Sequence, residues 1–567
     1  MKSVSGKYWE EEKINKRIFE KVKIENSFKD LIARQIISKK FTKEEIYLIN
    51  NHTNLTNPFL NNDDFIKATD LLISTINENK KICIIGDYDV DGCVSASLIV
   101  KLLKYLKASY FYYIPNRFID GYGSSISLIK KIIIKNPDLV IMVDNGSSSN
   151  EAIDYLNKNK IKSIVIDHHE IYNPYPKANV LINPKKKSRY SEYNYFCSGV
   201  LTYFFIDLIL KKKKLKLDFS KNLYLVLLSI VSDVMPIRKV NRHIANIVLR
   251  NINLEKIYFF KKIFDIKKIK KPLEIDDFGF LFGPILNSAG RLDDPNIIVE
   301  LLTTNNNDKK DKIINKLILL NEKRKFIEEN ILNKINFKQI KKKNEPIIII
   351  EDHTINEGLI GIISSKITTY FNRPSVIISR SGKFYKGSAR STKDVSIGKI
   401  IKNALDKKLL ESGGGHHLAA GFTVKKNNMI RFKNFLINSC KKNQINSNCK
   451  FLARISIHSL NKNFLLEYNK LKPYGEDNLA PYFLIENIKI TKIKVINNKF
   501  ISCFLKHNSG KLLPAISFNF LKSDLSQNIL NNKKEVNLII QIKEKLWNGQ
   551  KNIQVIIIDL VELPNKA

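Results

Sequence analysis

Between residues 80 and 240, short apolar runs alternate with stretches of helical spacing: KICIIG, DLVIMVD, KSIVID and then LYLVLLSIVSDV. Read as strands separated by helices, they predict an α/β domain with a mainly parallel sheet. The first three runs each end in acidic or histidine residues, at the C-terminal edge where open α/β sheets hold their ligands. From 308 to 341, Ile314, Leu317, Ile318, Ile327, Ile331 and Ile335 recur at helical spacing and predict one connecting helix. A second α/β pattern starts at PIIIIEDH (346–353) and ends near the glycines at 413–415. After the polar stretch KKNQINSNCK the pattern becomes strand after strand: IENIKITKIKV, KFISCFLKH, EVNLIIQIKEKL and NIQVIIIDLVEL. That tail has the size of an oligonucleotide-binding (OB) barrel. The expected division is an N-terminal segment 1–60, a catalytic α/β domain 61–265, a helical connection 266–345, a smaller α/β domain 346–435 and a barrel 450–567.

Composition narrows the function classes. At 567 residues, 44% of them hydrophobic, the chain can bury several cores and is expected to form roughly three or four domains. The N-terminus meets acidic residues before any apolar run, unlike a signal peptide, and no stretch approaches the ~18 apolar residues of a membrane span. Six scattered cysteines without a CxxC pair predict buried thiols in a reducing cytoplasm. The formal charge is +40. Lys, Ile and Asn crowd every row, so part of that excess reflects codon bias toward A·T. The remainder favours a polyanionic partner over a membrane or a small neutral substrate.

Four clusters then bring chemistry into the catalytic domain: Gly86-Asp87-Tyr88-Asp89-Val90-Asp91-Gly92, Val143-Asp144-Asn145-Gly146, Ile166-Asp167-His168-His169 and Ser232-Asp233-Val234. Carboxylates gathered at one sheet edge repel unless a cation neutralises them. Oxygen ligands with one imidazole suit two Mn²⁺ or Mg²⁺ ions better than Zn²⁺. Such an ion pair activates water and clamps a phosphate. Taken singly, each cluster has a plainer reading. DxDxDG also opens a calcium-binding EF-hand loop, but the twelfth position, where that loop needs Glu, is Leu98. Asp144 could cap a turn and Asp233 a helix.

The order DYDVDG, VDNG, DHH, SD resembles the DHH phosphoesterase superfamily, and the rest of the chain resembles its single-strand-specific 5′→3′ exonucleases. The supporting segments are IPNRFIDGYG (114–123), GPILNSAGRLDDP (283–295), NEKRKFIEE (321–329), GLIGIISSKI (358–367), GSARS (387–391), GGHHLAAGF (414–422), LKPYGEDNLAPYF (471–483) and FLKHNSGKLLPAISFN (504–519). The resemblance implies that Asp87, Asp89, Asp144, His168 and Asp233 hold two ions, with Asp144 bridging. His169 would stand beside the scissile phosphate, and Asp91 and Asp167 would support the ligands from behind. Arg117 would take the 5′-terminal phosphate and Tyr122 would lie beside the first nucleotide. Arg291, Ser388 and Arg390 would hold phosphates further along, and His416 would face the cleft from the second domain.

The family usually has a basic residue where Ile285 stands, histidine at Asn356 and Ser396, and glycine and proline at Asp477 and Leu479. None of these is a proposed ligand. In the tail, Tyr474 and Tyr482 are candidates for base stacking, while Phe483 reads as barrel core. The resemblance also implies 5′-mononucleotides as products, work in recombination and repair beside a helicase and a single-strand-binding protein, and a cytoplasmic monomer. The rival readings are a phosphodiesterase acting on short oligonucleotides or cyclic dinucleotides, and a single-strand-binding protein whose nuclease has decayed.

Overall fold

The computed structural model describes all residues except 52, 122, 187–190, 344, 442–447, 498–499, 519–522, 532–533, 548–549 and 562–567. The chain divides into two compact units, residues 54–442 and residues 1–53 with 443–567.

In the larger unit, β1 (Ile82–Ile85), β2 (Tyr110–Tyr113), β3 (Leu139–Val143), β4 (Lys162–Ile166) and β5 (Val180–Ile182) form a parallel sheet in the order β2-β1-β3-β4-β5. Successive residues of β1 and β3 enter different cores. Ile82, Ile84, Leu139 and Ile141 face one side and Cys83, Ile85, Val140 and Met142 the other. Burial on both faces explains why these strands read as continuous apolar runs. One face is covered by α1 (Val90–Tyr105), α2 (Ser198–Lys212) and α3 (Leu223–Ser232).

The last of these corrects the sequence reading: LYLVLLSIV is helical, not a strand. A short apolar run does not distinguish a buried strand from a buried helix. Here the ten residues are Leu-rich, lack period-two alternation, and lie packed among other helices.

Two further helices, α4 (Gly283–Leu292) and α5 (Asn307–Lys334), lead to the second sheet. The N-terminal half of α5 adds Ile314, Leu317 and Ile318 to the catalytic core. Its C-terminal half places Ile327, Ile331 and Leu332 against the core of the next domain. The connecting helix is shorter than expected. It stops at Lys334, and Asn336 accepts a 3.0 Å bond from the Gln339 N–H to cap a separate helix, Phe337–Lys343.

The second sheet comprises β6 (Ile348–Glu351), β7 (Ser375–Ser381), β8 (Phe384–Arg390), β9 (Ser412–Gly415) and β10 (Ala419–Lys425), ordered β9-β10-β8-β7-β6. Helix α6 (Ile360–Phe371) packs on β7 and β8. The glycines at 413–415, near which the α/β pattern is expected to end, instead form part of β9. The sheet continues through β10, and the helix Met429–Lys441 follows.

In the smaller unit, β11 (Phe483–Ile496), β12 (Phe500–Lys506), β13 (Leu512–Ser517), β14 (Glu535–Trp547) and β15 (Gln550–Val561) run in the order β11-β12-β13-β15-β14. Pairing of β14 back onto β11 closes the barrel and removes its free edges. The N-terminal segment, which has no readable chemistry, belongs here. Trp9–Glu11 pairs in parallel with Cys449–Phe451, and the Trp9 indole N–H donates to buried Asp559 at 3.0 Å. Trp9 packs with Phe451, Leu484, Ile539 and Val561.

The stacking candidates are occupied within this unit. Phe483 is core, Tyr482 packs edge-on against Trp9, and Tyr474 donates to the Tyr468 carbonyl at 2.8 Å beneath Lys39. Asp477 has φ +55°, the left-handed backbone where glycine is the easier residue, and Leu479 is exposed. Among the described residues no disulfide is formed, and every cysteine but the half-buried Cys449 is buried. No helix among them is long and apolar enough to cross a membrane.

Candidate metal centre and anion pocket

The chain leaves β1 through Gly86, where a Cβ would lie 2.8 Å from the Gly92 carbonyl oxygen. Gly92 is tighter still: its Cβ would fall 2.3 Å from the Asp87 nitrogen. Two glycines therefore let the DYDVDG loop fold onto the first turn of α1 and aim its carboxylates at the sheet edge. Asp89 caps that helix, accepting from the Gly92 N–H at 3.1 Å. Asp91 turns inward and accepts from the N–H groups of Ser198 and Gly199 at 2.8 and 2.9 Å and from the Ser229 hydroxyl. It thereby ties the starts of α1 and α2 to α3.

At the end of β3, Asp144 adopts φ +62° and its Oδ1 accepts from the Ser198 hydroxyl at 3.1 Å. After β4, Asp167 collects the N–H groups of His168 and Ser147 at 2.7 and 3.0 Å, and its Oδ1 lies 2.8 Å from His169 Nδ1. Asp233 lies just past the C-terminus of α3, so it does not start a helix.

These side chains converge. His168 Nε2 lies 3.3 Å from Asp144, 3.4 Å from Asp233 and 3.7 Å from Asp91. Its side chain is 7% exposed, and neither ring nitrogen has a hydrogen-bond partner among the described residues. Asp87, Asp89 and Asp144 form an adjoining group with ligand atoms within 4.8 Å of one another, so Asp144 is common to both sides of the centre.

Burial and then the neighbouring Asp89 charge push Asp87 up to about 7. Asp89, Asp144 and Asp233 are likewise raised by burial, with Asp91 the largest charge acting on each. Burial and the His169 charge lower His168 to about 3, leaving the imidazole neutral, as a ligand must be. Repelling carboxylates around a buried neutral imidazole fit a pair of hard divalent cations. His169 behaves in the opposite way. Burial opposes its charge, but Asp167 overrides this and raises it to about 10, so it is cationic at neutral pH.

A second cluster is cationic. The Arg117 guanidinium lies 4.2 Å above the Tyr88 ring, and Arg291 donates to the Gly358 carbonyl at 3.0 Å. Arg390 donates to the Ser388 hydroxyl at 3.1 Å. A Cβ on Gly361, in the first turn of α6, would sit 3.1 Å from Arg390 and 3.2 Å from Ser388, so glycine keeps this wall open. Burial lowers Arg291 to about 10, and the charges of Arg117, Arg324 and Arg390 add to the effect. Sequence reading separated Arg117 from the other three groups, whereas the fold gathers all four into one cluster, close enough for the arginine charges to act on one another.

His416 comes from the second domain and lies over His169, ring centroids 5.9 Å apart, with Glu170 3.8 Å from its Nδ1. Tyr122 lies outside the described residues. Of the departures, Ile285 is fully buried in the catalytic core, Asn356 accepts from the Gly358 N–H at 2.8 Å beside the pocket, and Ser396 precedes the helix Ile397–Asp406.

Sequence reasoning missed several contributors. Tyr88 is the floor under Arg117, Ser198 bonds Asp144, and Asn287 accepts from the Val90 N–H at 3.2 Å. Tyr88 and Asn287 lie inside the DYDVDG and GPILNSAGRLDDP motifs, but their roles arise from neighbours far along the chain. Ser198 carries no local signal.

Comparison with known proteins agrees with this architecture. Residues 81–230 match the DHH family N-terminal domain, 344–442 the DHHA1 domain and 453–559 the RecJ OB domain. The chain is 29% identical over 527 residues to the single-stranded-DNA-specific exonuclease RecJ of Haemophilus influenzae, covering 88% of this chain and 90% of that protein. Identity to the Escherichia coli protein of the same name is 25% over 525 residues, covering 87% and 89%. The crystal structure of Thermus thermophilus RecJ with Mn²⁺ superposes with a TM-score of 0.82 at 21% identity, covering 98% of this chain and 80% of that one. The same protein with Mg²⁺ gives a TM-score of 0.75 at 20% identity, covering 98% and 79%.

Proposed function

This chain belongs to the DHH family, with the domain order of its RecJ branch, and from that premise we propose that it is a metal-dependent exonuclease that shortens single-stranded DNA from the 5′ end. The observation that carries the proposal is His168: a buried imidazole with no hydrogen-bond partner among the described residues, ringed by Asp91, Asp144 and Asp233 and adjoining Asp87 and Asp89.

Asp87, Asp89, Asp144, His168 and Asp233 would hold two Mn²⁺ or Mg²⁺ ions, Asp144 being common to both groups of ligand atoms. Asp91, whose oxygens are already taken by backbone N–H groups and a hydroxyl, would orient the ligands from behind. When bound, the ions supply an activated water and neutralise phosphate charge. His169, held cationic by Asp167, would face the scissile phosphate and furnish a proton to the departing oxygen. Arg117, Arg291, Ser388 and Arg390 would grip the terminal phosphate. This anchoring would set polarity, since a terminal phosphate, with its extra charge, pairs with a cluster of guanidiniums better than an internal one does. His416, whose pKa burial and the Lys185 charge lower, would contribute a neutral ring beside His169.

The proposal extends to 5′-mononucleotide products, to a cytoplasmic monomer in recombination and repair, and to a helicase and a single-strand-binding protein as working partners. These finer points rest on family membership alone. The test compares 5′-labelled single strand, duplex and a linear dinucleotide, with and without Mn²⁺. Metal-dependent release of label from the single strand supports the reading, and preference for the dinucleotide refutes it.

A further inference from the structure

On the connecting helix α5, Asn321, Arg324 and Glu328 occupy one face, Asn321 5% exposed and the Arg324 and Glu328 side chains 12% and 3% exposed. The Arg324 guanidinium donates to Asn321 Oδ1 from Nε and Nη2 at 3.2 and 3.0 Å and to Glu328 Oε2 from Nη1 at 3.0 Å. The other Glu328 oxygen pairs with Lys366 of α6. A buried carboxylate on the connecting helix thus clasps both a guanidinium on its own helix and a lysine of the second domain.

Each end of this clasp reaches the anion pocket. Arg324 is close enough to Arg291 for its charge to depress that residue. Helix α6 and the loop before it carry Gly361, against Arg390 and Ser388, and Gly358, whose carbonyl holds Arg291. The two halves of α5 are embedded in different domain cores, so the clasp sits where the domains are joined.

We infer that Asn321, Arg324 and Glu328 are positioning residues for terminal-phosphate recognition: they fix the spacing between Arg291 and the Gly358–Gly361 wall without touching substrate. This inference rests on the reading of the pocket as a terminal-phosphate site. Three of the five Arg324 N–H donors are committed to Asn321 and Glu328 and the side chain is largely buried, which ties the guanidinium to its own helix and sets it apart from the phosphate ligands.

The decisive variant is Glu328→Gln, assayed on one oligothymidylate bearing either a 5′-phosphate or a 5′-hydroxyl, with Arg390→Ala as reference and melting temperature measured for each protein. Positioning predicts that KM for the phosphorylated strand rises about tenfold while kcat and the hydroxyl substrate change less than about twofold. If Arg324 acted through its charge, uncovering it would lower KM for the phosphorylated strand, the opposite sign. Equal losses on both substrates with a lower melting temperature would reduce the network to a structural role and overturn the inference, as would no change. Lys366→Met, at a half-exposed position, cuts only the tie to α6. It is expected to change KM in the same direction by a smaller factor, so a Glu328→Gln protein that fails to fold leaves the question decidable. If Arg390→Ala itself leaves the phosphate preference intact, the pocket reading has failed. If it abolishes the preference and the clasp variants do not, only the inference has failed.

Discussion

Without metal, the site should destabilise the fold, and the size of that penalty can be worked from Asp87. Its carboxyl is pushed from 3.8 up to about 7 by burial and by Asp89. Because the folded state holds its proton more tightly than the unfolded chain does, stability is greatest below the unfolded value and falls as pH rises through the folded one. About three pKa units at ~1.36 kcal/mol each set a ceiling of about 4 kcal/mol.

Asp87→Asn keeps the oxygen that accepts from the Tyr88 N–H at 2.8 Å but removes the charge. In EDTA near pH 8 the variant should therefore melt higher than wild type, by up to about 8 °C at ~2 °C per kcal/mol for a large domain. Near pH 5 the gap should shrink to about 1.6 kcal/mol, and below about pH 4 it should close. Mn²⁺ at 100 times its Kd should return about 2.7 kcal/mol to wild type and far less to the variant, which should also lose hydrolysis. Calorimetry across about pH 5–8 with EDTA or Mn²⁺ reads this out. A wild-type protein whose metal-free stability rises over that range relative to Asp87→Asn would refute the reasoning, as would a variant that keeps its full Mn²⁺ shift.

Three other outcomes are expected. Asp167→Asn should release His169 from about 10 toward its ordinary value, so the pH–kcat profile should gain an alkaline fall near pH 7 that wild type lacks. Arg117→Ala and Arg390→Ala should each weaken binding of 5′-phosphorylated strands by about 1.5–3 kcal/mol and hardly affect 5′-hydroxyl ones, measured by competition. Because residues 1–53 pack with the barrel, a chain of residues 54–442 is the proper truncation. It should cut with Mn²⁺ but bind single strands less tightly, with a salt slope flatter by about 0.7 for each phosphate the barrel no longer neutralises, read by titration at several salt concentrations.

The sequence by itself determined the elements whose signal is local. Three strands of the parallel sheet, β1, β3 and β4, read directly because they are buried as continuous apolar runs, and the DYDVDG, VDNG and DHH clusters read because each lies at a strand's end; β2 and β5 went unread. The barrel's alternation was equally legible. What only the tertiary structure decided depends on proximity between distant positions. LYLVLLSIV is a helix because helices surround it, and a run buried on all sides carries no period. Arg291 and Arg390 cluster because α4, α6 and β8 meet there, and the loop after β2 brings Arg117 to them, which separations of roughly a hundred residues and more do not announce. Trp9 closes on Asp559 across nearly the whole chain. Tyr474 and Tyr482, aromatic and suitably placed in sequence, are taken up by neighbours that only folding supplies. Composition and periodicity specify which groups exist and which face of an element they occupy. Which groups end up close enough to repel, pair or share an ion is set by packing, because these interactions act over a few ångströms of space and not along the chain.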